Sequence, residues 1–118
     1  MSLHLFAGLP VRDFAAARAW YERLLGEPSF LPHESEAVWT LGENRSVYAV
    51  EDLDRAGHGL VTLFVEDLDA MLDQIATRGL EPDERETYSN GVRKVTFRDP
   101  DGNRVAFGGA QAGDAASR

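Results

Sequence analysis

The chain has 118 residues, of which 43% are hydrophobic, and this length and composition suit one globular domain with its own core. It contains no cysteine, which excludes disulfides, thiolate catalysis and cysteine-ligated zinc sites. The formal net charge is −8 and no basic patch is apparent, so we expect no nucleic-acid partner. The acidic excess is explained by solubility, with attraction of a cationic ligand as the alternative. No apolar run approaches the ~20 residues of a membrane span and no signal-peptide pattern is visible, which predicts a cytoplasmic protein without membrane contact.

The first half of the chain predicts one helix among four strands. Residues alternate over 3–11 as in a half-buried strand. Asp13 is suited to cap a helix over residues 14–25, and Gly26 is suited to end it. Three short strands are predicted at 29–32, 37–41 and 46–50.

The same pattern restarts after a polar connector at residues 51–57. Residues 58–65 predict a strand, and Asp67 is suited to cap a second helix that runs to about Arg78. Further strands are predicted at 80–88, 92–97 and 104–107. Residues 109–118 are predicted to form a flexible tail.

The two halves correspond when the sequence is shifted by 54 residues. The aligned pairs include His4 with His58, Leu9 with Leu63, and Asp13 with Asp67. Each half is therefore predicted to be a βαβββ module, with module 1 at about 3–50 and module 2 at about 58–108. One such unit leaves a sheet face uncovered, which favours the pairing of two modules.

A β-hairpin closes the second module. Its strands flank the turn Asp99-Pro100-Asp101-Gly102-Asn103, in which proline presets the first corner and glycine tolerates the left-handed one. The aspartates of this turn are better explained as turn formers than as acid–base catalysts.

Three passages resemble the vicinal oxygen chelate superfamily, which includes glyoxalase I, bleomycin resistance proteins and extradiol dioxygenases. They are VRDF at 11–14 followed by WYERLLG at 20–26, VEDLD at 65–69 followed by Gly79, and FRDPDGN at 97–103. The resemblance covers about residues 3–108 and implies an α+β fold. In that fold, two paired βαβββ modules form a U-shaped mixed sheet around a cleft, with one helix per module on the outside. The resemblance also implies one domain over residues 1–118 and a homodimer.

Metal-dependent members of that superfamily place His, Gln or Glu ligands on the first and last strands of each module. The resemblance assigns these four metal-ligand positions to Phe6, Tyr48, Leu60 and Ala106. None of these side chains is a good ligand for a divalent cation. We therefore expect no metal and no cofactor. The prediction is a binding protein of the bleomycin-resistance type, which holds an amphipathic or aromatic small molecule in an apolar cleft and serves antibiotic resistance.

Two enzymatic alternatives remain open. In the first, His4 and His58 are displaced ligands of a metal-dependent lyase or dioxygenase, since alternation points them to the same side as Phe6 and Leu60. In the second, a metal-free enzyme uses Tyr48 or His58 as an acid–base group. The simplest interpretation of both histidines is a solvated or hydrogen-bonded imidazole at the rim of the cleft.

The predicted ligand site comprises residues from both modules, namely His4, Phe6, Trp39, Tyr48, His58, Leu60, Arg93 and Ala106. Phe64 and Tyr88 could extend an aromatic lining. Trp39 and Tyr48 are favoured because their polar tips suit half-buried positions. Either Arg93 or the next residue must face the cleft by alternation, and the arginine fork suits a carboxylate or phosphate. A solvated strand position is the simpler interpretation of Arg93.

Overall fold

The computed structural model describes residues 3–110, and these form two βαβββ modules. Module 1 contains β1 (Leu5–Val11), α1 (Phe14–Leu25), β2 (Phe30–His33), β3 (Glu36–Gly42) and β4 (Arg45–Glu51). Module 2 contains β5 (Leu60–Phe64), α2 (Leu68–Thr77), β6 (Glu84–Thr87), β7 (Arg93–Arg98) and β8 (Arg104–Gly109). The α+β class and the paired βαβββ modules predicted from the sequence are confirmed.

Each module contains one four-stranded mixed sheet. The strand order is β1-β4-β3-β2 in module 1 and β5-β8-β7-β6 in module 2. The first and last strands of each module pair in parallel, and the other neighbours pair antiparallel. The strands β1 and β5 therefore occupy equivalent edges of the two sheets. Within residues 3–110, no helix is long and apolar enough to cross a membrane.

The helix ends agree with the capping signals in the sequence. The Asp13 carboxylate accepts a hydrogen bond from the Ala16 N–H at 3.2 Å, and Asp67 accepts one from the Ala70 N–H at 3.0 Å. Gly26 ends α1 with φ of 88°, a left-handed value that glycine adopts without steric strain. Each helix therefore begins at an aspartate that satisfies one of the free N–H groups of its first turn.

The strands differ from the prediction mainly at their ends. The largest difference is β6, which covers Glu84–Thr87, whereas a strand was expected over 80–88. Leu80 belongs to the exit of α2, where its N–H donates to the Ile75 carbonyl at 3.3 Å and its side chain packs against the core. The strand β8 extends to Gly109, into the predicted tail, and residues 111–118 of that tail lie outside the described residues.

Alternation along the strands gives each sheet a buried face and an open face. The buried faces of both sheets and both helices contribute to one hydrophobic cluster, which includes Leu9, Tyr21, Val47, Ile75 and Phe107. We use "open face" for the opposite side of each sheet. In module 1 it carries His4, Phe6, Gly8, Ser46 and Tyr48; in module 2 it carries Leu60, Thr62, Phe64, Arg104 and Ala106.

A buried carboxylate joins the two modules at the turn between β7 and β8. The Tyr21 hydroxyl of α1 donates to Asp99 Oδ2 at 2.7 Å, and Asn103 Nδ2 donates to the same oxygen at 2.8 Å. The backbone N–H groups of Asp101 and Asn103 donate to Asp99 Oδ1, each at 2.9 Å. Burial, followed by the negative charge of Asp99, raises the pKa of Tyr21 well above its ordinary value. The phenol therefore stays protonated and donates.

The Asn103 side chain extends this network to the edge strands. Its Nδ2 donates to the Pro10 carbonyl at 2.6 Å, and its Oδ1 accepts from the Gly59 N–H at 2.6 Å. Asn103 is fully buried, so each of these bonds replaces one that water would otherwise make. One amide side chain thus connects the end of β1, the approach to β5 and the final hairpin.

Replacing Tyr21 with phenylalanine should lower the free energy of unfolding by about 1–3 kcal/mol, because the buried Asp99 carboxylate loses a donor. Urea denaturation at neutral pH measures this change. Tyr88→Phe is the matched control, since the Tyr88 side chain is 45% exposed.

The stability difference between wild type and Tyr21→Phe should also depend on pH in the alkaline range. Unfolded chains ionise Tyr21 near pH 10 and the folded protein does not, so the stability contributed by Tyr21 is present below pH 10 and is lost above it. The difference between wild type and Tyr21→Phe should therefore shrink by about 1.4 kcal/mol per pH unit above pH 10. A Tyr21→Phe protein as stable as Tyr88→Phe would contradict the network's role.

Candidate functional site

The four positions that the resemblance assigns to metal ligands occupy equivalent places in the two sheets. Phe6 lies on β1 and Leu60 on β5, while the strand registers place Tyr48 and Ala106 at equivalent points of β4 and β8. All four lie on the open faces. Their phenyl, phenol and aliphatic side chains include no carboxylate or imidazole, so they do not fit a divalent ion. Within residues 3–110, no three His, Cys, Asp or Glu side chains come together as a set that could hold a metal.

The open face of module 1 carries an aromatic cluster, which we call the aromatic patch, formed by His4, Phe6 and Tyr48. The His4 and Phe6 rings meet edge to face, with centroids 4.6 Å apart and planes at 82°. The Phe6 and Tyr48 centroids are 6.1 Å apart. The Nε2 atom of His4 lies 3.0 Å from the Ser46 hydroxyl oxygen, which anchors the imidazole. These geometries are typical of favourable aromatic pairs.

Tyr48 is positioned by a glycine on the neighbouring strand. A Cβ atom added to Gly8 would lie 2.6 Å from both Cζ and Oη of Tyr48, so the phenol packs directly on the β1 backbone. Module 2 shows the reverse arrangement, because the ring of Phe64 on β5 lies against Gly108 on β8. The hydroxyl end of Tyr48 is therefore held close to the sheet.

The predicted residues of module 2 differ widely in their exposure to solvent. Leu60 is 60% exposed and Phe64 is 71% exposed, and His58 is also exposed just before β5. Ala106 is fully buried, so its methyl group is not accessible on the open face. Tyr88, at 45% exposure, follows β6 at the far edge of the sheet.

The structure places Trp39 away from this surface. Val38 pairs with Tyr48 in the β3–β4 register, so Trp39, the next residue, lies on the buried face opposite Val47. Its ring is 2% exposed, and its Nε1 donates to the Gly26 carbonyl at 2.8 Å. The indole N–H, which was predicted to contact a ligand, therefore donates to the carbonyl group at the end of α1 instead.

Arg93 is also separated from the aromatic patch. Its Nη1 and Nη2 atoms donate to the two Asp69 carboxylate oxygens of α2 at 2.9 and 3.1 Å, and Nη2 also donates to the Ala110 carbonyl at 3.2 Å. This hydrogen-bonded ion pair lowers the pKa of Asp69 and raises that of Arg93. Alternation places Lys94, the other candidate, on the open face.

A separate apolar cavity of about 390 Å³ opens between the modules, next to the edge strands β1 and β5. Its walls come largely from the buried faces and helices and include Leu5, Ala7, Leu25, Val61, Leu63 and Met71. Its lining also includes Ser46, Thr62 and Phe64 of the open faces, so the cavity is not confined to the buried side of the sheets.

Gly8→Ala should displace the Tyr48 ring, because the added methyl would overlap the phenol. We expect clear changes in the aromatic-ring NMR shifts of Tyr48 and Phe6. Gly42→Ala is the control, since the atoms nearest to its methyl would belong to the flexible Arg45 side chain, at 3.2 Å. Unchanged Tyr48 ring shifts in Gly8→Ala would contradict this packing.

Comparisons with known proteins agree with this geometry. The family model described as Glyoxalase/Bleomycin resistance protein/Dioxygenase superfamily matches residues 3–107. A search of curated proteins gave no significant match. Among solved structures, the chain is similar to a glyoxalase/bleomycin resistance protein from Catenulispora acidiphila DSM 44928. The identity is 59% and the TM-score 0.89, over 92% of this chain and 99% of the other.

Two more distant structures share the fold. A bleomycin-binding protein complexed with bleomycin is 20% identical with a TM-score of 0.71, over 94% of this chain and 100% of the other. A lactoylglutathione lyase from Agrobacterium tumefaciens is 19% identical with a TM-score of 0.73, over 92% of this chain and 94% of the other. The same architecture thus serves a ligand-binding protein and an enzyme, and only the site chemistry can separate the two.

Proposed function

Because this chain belongs to the Glyoxalase/Bleomycin resistance protein/Dioxygenase superfamily, we propose from the chemistry of its open faces that it binds an amphipathic or aromatic small molecule without a metal ion. The observation that carries the proposal is the set of side chains at the four metal-ligand positions. Phe6, Tyr48, Leu60 and Ala106 stand where an ion-binding set would need His, Gln or Glu, and none of them is a good ligand for a divalent cation.

The aromatic patch has the composition of a small-molecule site. Such sites are mainly apolar and contain a few polar groups that orient the ligand. Phe6, at 51% exposure, offers a ring face, while the Tyr48 hydroxyl and the imidazole of His4 offer hydrogen bonds beside it. A planar or amphipathic molecule could stack on Phe6 and bond to these groups.

The structural relatives support ligand binding at the level of the fold. One of them was solved with bleomycin bound. By analogy, we propose sequestration of a toxic or antibiotic small molecule as the biological use of the site.

The metal-dependent alternative has less support. It would require His4 and His58 to act as displaced ligands. The imidazole of His4 is hydrogen-bonded to Ser46, and neither histidine belongs to a three-residue ligand cluster in the part of the chain that the structure describes.

Binding of the neutral fluorescent dye Nile red tests the proposed site. Phe6→Ala and Tyr48→Ala should each weaken binding by about tenfold, because each removes roughly 1–2 kcal/mol of apolar and aromatic contact. Leu53→Ala is the control, since Leu53 is an exposed apolar residue outside both sheets.

Two outcomes would contradict the proposal. One is equal loss of Nile red binding in Leu53→Ala and the two patch variants. The other is stoichiometric zinc, nickel, manganese or iron in protein purified without chelators, if that metal is lost in the His4→Ala/His58→Ala double variant.

We also propose that the protein is a homodimer. The strands β1 and β5 each pair with one neighbouring strand and so form sheet edges, and such edges are usually covered in soluble proteins. They also carry large exposed apolar side chains, including Leu5 at 67% and Phe64 at 71% exposure. A second copy of this chain would cover these edges and supply a further wall over the aromatic patch.

Sedimentation equilibrium tests the dimer. The wild type should sediment as a dimer, and Leu5→Lys/Phe64→Lys should shift it to monomer, because two charges would be buried at the contact. Leu53→Lys adds a charge outside the sheets and should leave the dimer intact. A monomeric wild type at micromolar concentrations would contradict this assembly.

A further inference from the structure

Module 2 contains a small polar pocket at the end of its open face. The pocket has a volume of about 290 Å³ and is lined by His58, Arg98 and Arg104 together with three glycines. It lies beside Leu60, one of the four metal-ligand positions, because Leu60 pairs with Arg104 in the β5–β8 register.

The equivalent positions in module 1 form a neutral cluster. His4 corresponds to His58 in the repeat, and the pair Thr40–Ser46 of β3 and β4 corresponds to Arg98–Arg104 of β7 and β8. In module 1, the Ser46 hydroxyl lies 3.0 Å from His4 Nε2 and 3.5 Å from the Thr40 hydroxyl. The polar side chains of module 1 are therefore hydrogen-bonded to one another.

The same three positions in module 2 are basic and incompletely paired. Arg98 and Arg104 lie directly opposite each other on neighbouring strands, an arrangement in which like charges repel. Arg98 reaches Glu84 at 3.4 Å through a largely exposed contact. Among residues 3–110, no carboxylate lies within 4.0 Å of the Arg104 guanidinium. The cluster occurs in a chain of net charge −8.

The two carboxylates of the final turn are engaged elsewhere. Asp99 is buried and receives four hydrogen bonds from Tyr21 and from the turn itself. Asp101 accepts the Arg12 N–H at 2.8 Å and lies 3.8 Å from the Arg12 guanidinium. Neither carboxylate is therefore left to neutralise Arg104.

The floor of the pocket is bare backbone. Gly57 has φ of +89°, and a Cβ on it would lie 2.5 Å from the Asp101 carbonyl oxygen. A Cβ on Gly59 would lie 2.8 Å from Asn103 Oδ1, so a side chain is excluded at both positions. Their N–H groups already donate to the Pro10 carbonyl and to Asn103 Oδ1. A bound group would therefore be held by the arginines and the histidine.

We propose that this pocket binds the carboxylate of the small-molecule ligand, so that the ligand class is an aromatic or aliphatic monocarboxylate. The inference rests on the proposed function and specifies its ligand. The planar arginine fork matches a carboxylate in a bidentate geometry, and charge-assisted hydrogen bonds of this kind are stronger than neutral ones. The apolar part of the ligand lies along Leu60 and the open face of module 2.

Two probes with the same ring system test the proposal: the anion 1-naphthoate and the neutral 1-naphthalenemethanol. Titration calorimetry measures the affinity of the protein for each of them. The wild type should bind naphthoate about tenfold more tightly than the alcohol, because only naphthoate offers an anion to the arginines. Arg98→Gln/Arg104→Gln should abolish this preference and leave affinity for the alcohol unchanged. Arg85→Gln is the control, since Arg85 pairs with Val95 and faces the other side of the same sheet.

A measurement on the wild-type protein removes any dependence on how the variants fold. Naphthoate should shift the NMR signals of the His58 imidazole and the Arg104 guanidinium. Equal affinity for both probes, or naphthoate shifts that spare these groups, would overturn the carboxylate pocket while leaving binding by the aromatic patch intact. Failure to bind Nile red would instead overturn the proposed function.

Discussion

The buried carboxylate of Asp99 is the interaction on which the arrangement of the two modules depends. A charge removed from water is strongly unfavourable unless donors replace its hydration. Here the donors come from helix α1 in one module and from the final turn in the other. Asn103 then ties that turn to the β1 end and to the approach to β5. These bonds also fix the glycine floor of the small polar pocket and the relative position of the two edge strands.

The two modules share one backbone plan but carry different surface chemistry. Strand registers match position by position, so His4 and His58 occupy equivalent places, as do Ser46 and Arg104. Module 1 presents a cluster of rings beside small hydroxyls, and module 2 presents Leu60, the single ring of Phe64 and basic side chains. A molecule with an apolar body and one acidic end would be complementary to both surfaces.

Much of the fold could be predicted from the sequence because its signals are local. Capping aspartates, Gly26 and the helical spacing of apolar residues place both helices within about a residue of their observed ends. The open-face positions of Phe6 and Leu60 also follow from alternation along single strands.

The sequence placed Trp39 in the ligand site, but its side chain lies on the buried face. That face depends on the register between β3 and β4, which is set by pairing across the sheet. Arg93 was misplaced because its partner, Asp69, lies on a helix distant in sequence. The proposed role of Arg98 and Arg104 could not be inferred from the 54-residue shift, because only the strand registers match these two residues with Thr40 and Ser46.

The separation between buried and open faces has a consequence for how such a chain can change over time. Hydrogen bonds that join the modules involve Tyr21, Asp99, Asn103 and backbone groups, and the core is built from the opposite side of each sheet. Phe6, Leu60 and Arg104 contribute little to either. Selection can therefore alter binding chemistry at these positions with a small effect on folding, which makes the architecture a tolerant scaffold for new specificities.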